Sequence, residues 1–212
     1  MKTILCFGDS NTYGLNPADK SRFDYETRWT GILDSRFRSY GFHVAEEGLC
    51  GRTTVFPDVL RANRRGVDVL PFILESHSPV EYVTLMLGTN DCKTAFNSSA
   101  YMISEGIKRL VKQIHSAGNA KILIMSPIYI AEGINEYDAE FDEKSVEISR
   151  QLKKYYSEIA EAENCLFLAA SDYAEPSEYD REHMDSESHR KLAEAVFNTI
   201  YNDISKTPAG SD

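Results

Sequence analysis

Basic residues are in the minority: Lys and Arg total 23 against 33 Asp and Glu, a formal net charge of −10 over 212 residues. A nucleic-acid backbone or an anionic membrane surface is therefore repelled on average. Long apolar runs are missing as well. No stretch approaches the roughly 20 residues that span a bilayer. The apolar opening Ile4-Leu5-Cys6-Phe7 runs into a polar turn at Gly8, too early for the hydrophobic centre of a secretion signal. Cysteine is sparse and scattered: Cys6, Cys50, Cys92 and Cys165 form no C-x-x-C pair, which argues against a structural zinc site or a disulfide framework and fits free thiols in the cytoplasm. Internal repeats, low-complexity segments and the nucleotide signatures G-x-G-x-x-G and G-x-x-x-x-G-K-[ST] are absent too. What is present, 42% hydrophobic and 26% charged side chains, describes an acidic globular chain. Its length suits one domain over 1–205 with a short tail at 206–212.

Short β-branched or apolar runs at 3–7, 42–46, 80–87, 121–125 and 165–169 alternate with amphipathic stretches at 27–39, 67–76, 100–116, 143–163 and 187–204. In the third stretch Ile103, Ile107, Leu110, Val111 and Ile114 recur at helical spacing. The run Tyr82-Val83-Thr84-Leu85-Met86-Leu87 is almost continuously apolar, which predicts burial on both faces of a strand. The pattern predicts an α/β fold, a three-layer α/β/α sandwich around a five-stranded parallel sheet. Right-handed crossovers then put every strand's C-terminal end on one edge, where ligands of open α/β sheets collect. The segments 51–66 and 127–142 are long for connections; they are candidates for lid, specificity or subunit-contact roles, or plain surface insertions.

Chemistry concentrates just after the strands. Phe7-Gly8-Asp9-Ser10-Asn11-Thr12-Tyr13-Gly14 brings a serine hydroxyl to the ligand edge, although such a turn also suits a phosphate or a capped helix start. Glu46-Glu47-Gly48-Leu49-Cys50-Gly51-Arg52-Thr53-Thr54 has two glycines that free backbone N–H groups, and Gly88-Thr89-Asn90-Asp91 supplies a carboxamide. A serine nucleophile needs donors aimed at the developing oxyanion, and the Ser10 N–H, the Gly51 N–H and the Asn90 side chain form a candidate set. It also needs a histidine base held by a carboxylate. Of the five histidines, His43, His77 and His115 read as structural or surface residues. His183 follows the last strand with Asp180 three residues before it, a spacing that lets a turn orient the ring. His189, with Asp185, is the rival pair and lies inside a helical stretch.

Together Gly8-Asp9-Ser10, Gly51, Gly88-Thr89-Asn90-Asp91 and Asp180-x-x-His183 resemble, in order and over about residues 2–204, the SGNH or GDSL hydrolase superfamily with its flavodoxin-like fold. The match is closest to its small bacterial arylesterases and acyltransferases, through Ile4-Leu5-Cys6-Phe7-Gly8-Asp9-Ser10, Arg28-Trp29-Thr30-Gly31, Glu46-Glu47-Gly48-Leu49, Arg52-Thr53-Thr54 and Met86-Leu87-Gly88-Thr89-Asn90-Asp91. The resemblance implies a serine esterase cleaving short acyl, especially acetyl, esters without a metal or organic cofactor. Ser10 would be the nucleophile, His183 the base and Asp180 its orienter, with Ser10, Gly51 and Asn90 as the oxyanion hole. Asp9, Asn11, Tyr13, Trp29 and Phe56 are substrate-binding candidates, though aromatics near strand ends also pack cores. Two departures stand out: Glu46 replaces the asparagine often found there, and Arg181-Glu182 fills the usual D-G-x-H. The expected partner is a small-molecule ester. Acyl transfer to alcohols, through an apolar channel shared in a homo-oligomer, and carbohydrate deacetylation are alternatives within the family. A flavodoxin-like phosphate or small-ligand binder and an inactive interaction module are alternatives outside it. Cys50 and Cys92 lie close to the candidate oxyanion residues, where thiol reagents would interfere without either cysteine being catalytic.

Overall fold

Along β1 (Lys2–Gly8) the side chains alternate between the two faces of the sheet, as the pleat requires. Ile4 and Cys6 enter one hydrophobic cluster, Leu5 and Phe7 the other, and all are fully buried. The computed structural model, which describes residues 1–206, continues this division through β2 (Phe42–Gly48), β3 (Val80–Met86), β4 (Lys121–Ser126) and β5 (Leu166–Ala169). Trp29, Leu33 and Phe37 of α2 (Trp29–Phe37) and Leu192, Val196 and Ile200 of α6 (Ser186–Lys206) cover one face. The other is covered by α3 (Gly66–Ser76), α4 (Ala100–Ala117) and α5 (Glu143–Ala162), through residues such as Leu70, Ile103, Leu110 and Leu152. The expected three-layer sandwich is therefore present.

All strands pair in parallel, in the order β2-β1-β3-β4-β5. The chain leaves β1 toward β2 on one side and returns to β3 on the other, so the connections after β1 and β3 diverge and open a crevice at their C-terminal ends. Element boundaries differ from the periodicity only at their ends. The stretch 27–39 divides into α2 and a 3₁₀ turn, Arg38–Tyr40. The last helix runs on to Lys206, so that residue is helical where a tail was expected, and the rest of the expected tail lies outside the described residues. The four-residue α1 (Ser10–Tyr13) is too short for a periodic signal. Among the described residues no helix is long and apolar enough to cross a membrane.

The seat of α1 explains Gly48. A Cβ there would lie 2.1 Å from the Tyr13 nitrogen and 2.5 Å from the Thr12 carbonyl carbon, both backbone atoms. Gly48→Ala must therefore push α1, and Ser10 with it, off the end of β2. We expect a loss of about 1–3 kcal/mol in a urea unfolding curve, the usual range for overpacking, together with reduced ester hydrolysis; a variant with wild-type stability and rate would contradict this.

Candidate active site

Ser10 opens α1, and Asp9 caps it by accepting the Asn11 N–H on Oδ1 at 3.0 Å. The second Asp9 oxygen has no partner, and burial pushes this carboxyl up to about 6. Ser10 Oγ lies 2.8 Å from His183 Nε2, and His183 Nδ1 lies 2.8 Å from Asp180 Oδ2. With the proton on Nδ1, the ring donates to Asp180 and accepts from the serine hydroxyl. Asp180 Oδ1 receives the backbone N–H groups of His183 at 2.9 Å and Glu182 at 3.2 Å, while Lys20 Nζ reaches Oδ2 at 2.7 Å. Burial opposes a charged His183, but the carboxylates of Glu182 and Asp180 outweigh it and raise the ring's pKa. Burial likewise opposes a charged Asp180, yet the bonds from His183 and Lys20 hold it well below the usual carboxylate range.

These residues are brought together across the fold by Asn11, whose side chain donates to the Glu182 carbonyl at 3.3 Å and accepts the Met184 N–H at 2.9 Å. The Asn11 carbonyl in turn receives Trp29 Nε1 at 3.1 Å. The turn beyond Asp180 needs a left-handed residue, and Arg181 fills that role at φ +61°, where the family pattern has glycine. Its backbone carbonyl accepts the Ala131 N–H and its guanidinium donates to the Glu132 carbonyl, both at 3.0 Å. Those contacts offset the steric cost that a glycine would avoid.

Gly51, at φ +81°, has a backbone N–H with no acceptor among the described residues. Asn90 Nδ2 is held by the Arg52 carbonyl at 3.2 Å, and Asp91 Oδ1 and Oδ2 accept the Thr54 N–H at 2.9 and 3.1 Å. Burial pushes the Asp91 carboxyl up to about 7. Arg52 donates to the Gly8 carbonyl at 2.8 Å and also to that of Glu47, with burial drawing its pKa down to about 10. Glu46 binds the Arg28 guanidinium through both oxygens, at 2.9 and 2.7 Å, and takes the Thr30 hydroxyl as well. This acid at the position of the usual asparagine therefore fastens the Arg28-Trp29-Thr30 segment to β2.

Ser10, Gly51, Asn90, Asp180 and His183 line one cavity of about 250 Å³. Its walls also include Arg61 from the long segment 51–66, and Tyr137 and Asp138 from the segment 127–142. Lys20, Lys93 and Glu182 line it too; sequence reasoning missed them, since their pattern carries no chemistry until the loops close. Larger hollows lie between the end of β5 and α6, about 570 Å³, and at the opposite edge of the sheet, about 590 Å³. Among the described residues neither holds a nucleophile hydrogen-bonded to a histidine, so chemistry rather than size marks the candidate site.

Of the substrate-binding candidates, none of Asp9, Asn11, Tyr13, Trp29 and Phe56 lines this cavity. Asp9 and Asn11 hold the loops, Trp29 is fully buried, Tyr13 packs under the Arg22 guanidinium, and Phe56 packs on Phe96 at 5.4 Å. The rival His189 is fully buried, accepts the Trp29 N–H on Nδ1 at 3.3 Å, and is driven down to about 3 by burial. Cys50 and Cys92 are free thiols whose pKa values burial raises.

At the switch point of the parallel sheet a serine, a histidine and an aspartate are hydrogen-bonded in series. The chain belongs to the GDSL-like lipase/acylhydrolase family, which matches residues 6–191, and is an ester-hydrolysing enzyme of that family. A carbohydrate acetylesterase from Sinorhizobium meliloti is 32% identical, with a TM-score of 0.90 over 95% of this chain and 99% of that one. The native aryl esterase of M. smegmatis is 31% identical, with a TM-score of 0.90 over 95% and 99% of the two chains. A lipase/acylhydrolase from Enterococcus faecalis, 19% identical over 96% of this chain and 97% of that one, shares the fold at a TM-score of 0.69. No curated protein matches the sequence.

Proposed function

We propose that the protein is a serine esterase that removes short acyl groups, acetyl foremost, from small-molecule alcohols. The observation that carries this reading is the series Asp180 Oδ2 to His183 Nδ1 and His183 Nε2 to Ser10 Oγ, each 2.8 Å, facing a cavity that also holds Gly51 and Asn90. Ser10 Oγ attacks the ester carbonyl as its proton passes to His183 Nε2, and the Ser10 and Gly51 N–H groups with Asn90 Nδ2 receive the oxyanion. The ester C–O bond breaks, the leaving alcohol takes the proton from His183, and the acyl group stays on Ser10. Water then attacks that acyl group, gives its proton to His183, and returns the acid and the free serine. Asp180 keeps the ring in the required tautomer throughout.

The lining favours a polar leaving alcohol over an aryl one: Lys20, Arg61, Lys93, Asp138 and Glu182 line the cavity that holds the nucleophile, and Tyr137 is the one Phe, Tyr or Trp among the described lining residues. That composition, with a carbohydrate acetylesterase among the structural neighbours, supports a hydroxylated substrate. The reading is tested with a serine-directed phosphonate and a series of p-nitrophenyl acetate, butyrate and octanoate. We expect one phosphonate on Ser10 by peptide mass spectrometry and faster turnover of acetate than octanoate. Saturable phosphate or nucleotide binding with no labelling would instead favour a small-ligand binder.

A further inference from the structure

Glu182 lines the cavity beside Ser10 and is only 7% exposed, yet its carboxylate accepts no hydrogen bond from any described residue. The near polar atom is His183 Nδ1, 3.8 Å from Oε2 and already engaged by Asp180 at 2.8 Å. Neighbouring cations are committed elsewhere. Lys20 binds Asp180 at 2.7 Å, while Lys93 at 2.7 Å and Arg61 at 3.5 Å both bind Glu140. Asp138, on the same wall, adds a second acid. A carboxylate only accepts hydrogen bonds, and one with little exposure gains from a donor brought into the space it borders. This one borders the space that the substrate enters.

We propose that Glu182 is a specificity residue for the leaving alcohol, receiving an O–H or protonated N–H that the alcohol carries close to its ester oxygen. This rests on the esterase reading above. The leaving oxygen takes its proton from His183 Nε2 inside the cavity that Glu182 also lines, so a donor carried by the alcohol within that space can reach the carboxylate. An alcohol lacking the donor leaves the carboxylate unmatched at the moment the site closes on it, which is how a hydrogen-bonding site rejects an apolar isostere.

The test compares kcat/KM for 2-hydroxyethyl acetate with propyl acetate, and for 2-(dimethylamino)ethyl acetate with 3-methylbutyl acetate, each control replacing the donor group by a carbon of matching shape. Wild type should prefer at least one donor ester by about tenfold or more, and Glu182→Met should bring that ratio close to one. Glu182→Gln separates the two sources of the donor: loss of an amino-ester preference marks a cation, whereas a hydroxyl preference partly survives on the remaining amide oxygen. If Glu182 acted only through the histidine, all esters would fall together and the ratio would stand. That result, or a wild-type ratio near one, overturns the proposal, and the wild-type ratio needs no variant to fold. Failure of the esterase reading looks different: wild type would cleave none of the esters, or Ser10→Ala would retain the rates.

Discussion

Ser10→Ala and His183→Ala each lower kcat for p-nitrophenyl acetate by about 10,000-fold or more, and the double variant is hardly worse than either single one. The two groups act as one unit: without the hydroxyl there is nothing for the base to deprotonate, and without the ring the hydroxyl keeps its proton. On the proposed mechanism any residual rate is expected from the Gly51 and Asn90 donors, which remain in place for the oxyanion. His189→Ala is the internal control. It removes the acceptor of the Trp29 N–H, 3.3 Å away in a fully buried setting, so about 1–3 kcal/mol of stability should be lost while the ester chemistry remains. His189 also has a definite linkage sign. Its folded pKa, about 3, lies below the ordinary histidine value, so its contribution is present above the unfolded pKa and is lost as the pH falls. The replacement should therefore flatten the acid side of the stability curve. Equal esterase activity in wild type and all of these variants would remove the assignment of Ser10 and His183.

Asp180→Asn should lower kcat by about 10,000-fold with little change in fold. Oδ1 can still accept the His183 and Glu182 N–H groups, but at Oδ2 a carboxamide can present N–H instead of accepting one. The imidazole then turns its lone pair toward position 180 and its N–H toward Ser10, which is the wrong tautomer for a base. The pH profile tests the electrostatics as well. In wild type the raised His183 pKa puts the acid limb of kcat/KM above the ordinary histidine value, and activity falls as the pH drops through it. Removing the carboxylate removes one of the charges that raise the ring, so any residual limb should move to lower pH. For stability, the depressed Asp180 pKa contributes above the unfolded carboxylate value and is lost as the pH falls. The raised His183 pKa contributes below the unfolded histidine value and is lost as the pH rises through the folded one. An unchanged acid limb in the residual activity of Asp180→Asn would show that this carboxylate does not set the histidine's charge.

The layer arrangement was legible because it depends on short-range periodicity. Runs such as Ile4-Leu5-Cys6-Phe7 and the helical spacing of Ile103, Ile107 and Leu110 force burial on particular faces whatever their neighbours do. The order of the blocks also marked Ser10, Gly51, Asn90, Asp180 and His183 as one group, since parallel strands must deliver their C-terminal ends to the same edge. That Tyr13, Trp29 and Phe56 lie outside the cavity lining was not legible, for the converse reason. Whether Trp29 or Phe56 faces a cavity or a core depends on how helices from distant parts of the chain fill the same volume, and a local pattern does not contain that.

The amino-acid sequence by itself determined the alternation of strands and helices, the ligand edge and the chemical types gathered there. Only the tertiary structure decided that Asn11 ties the serine turn to the histidine turn, that Glu46 holds Arg28, and that Arg181 takes the left-handed place of a glycine. It alone put Glu182 into the wall of the cavity that holds Ser10. Each of these is a contact between segments far apart in the chain, or a backbone state held by such contacts, and it comes into being only when packing against the sheet brings the loops to one place.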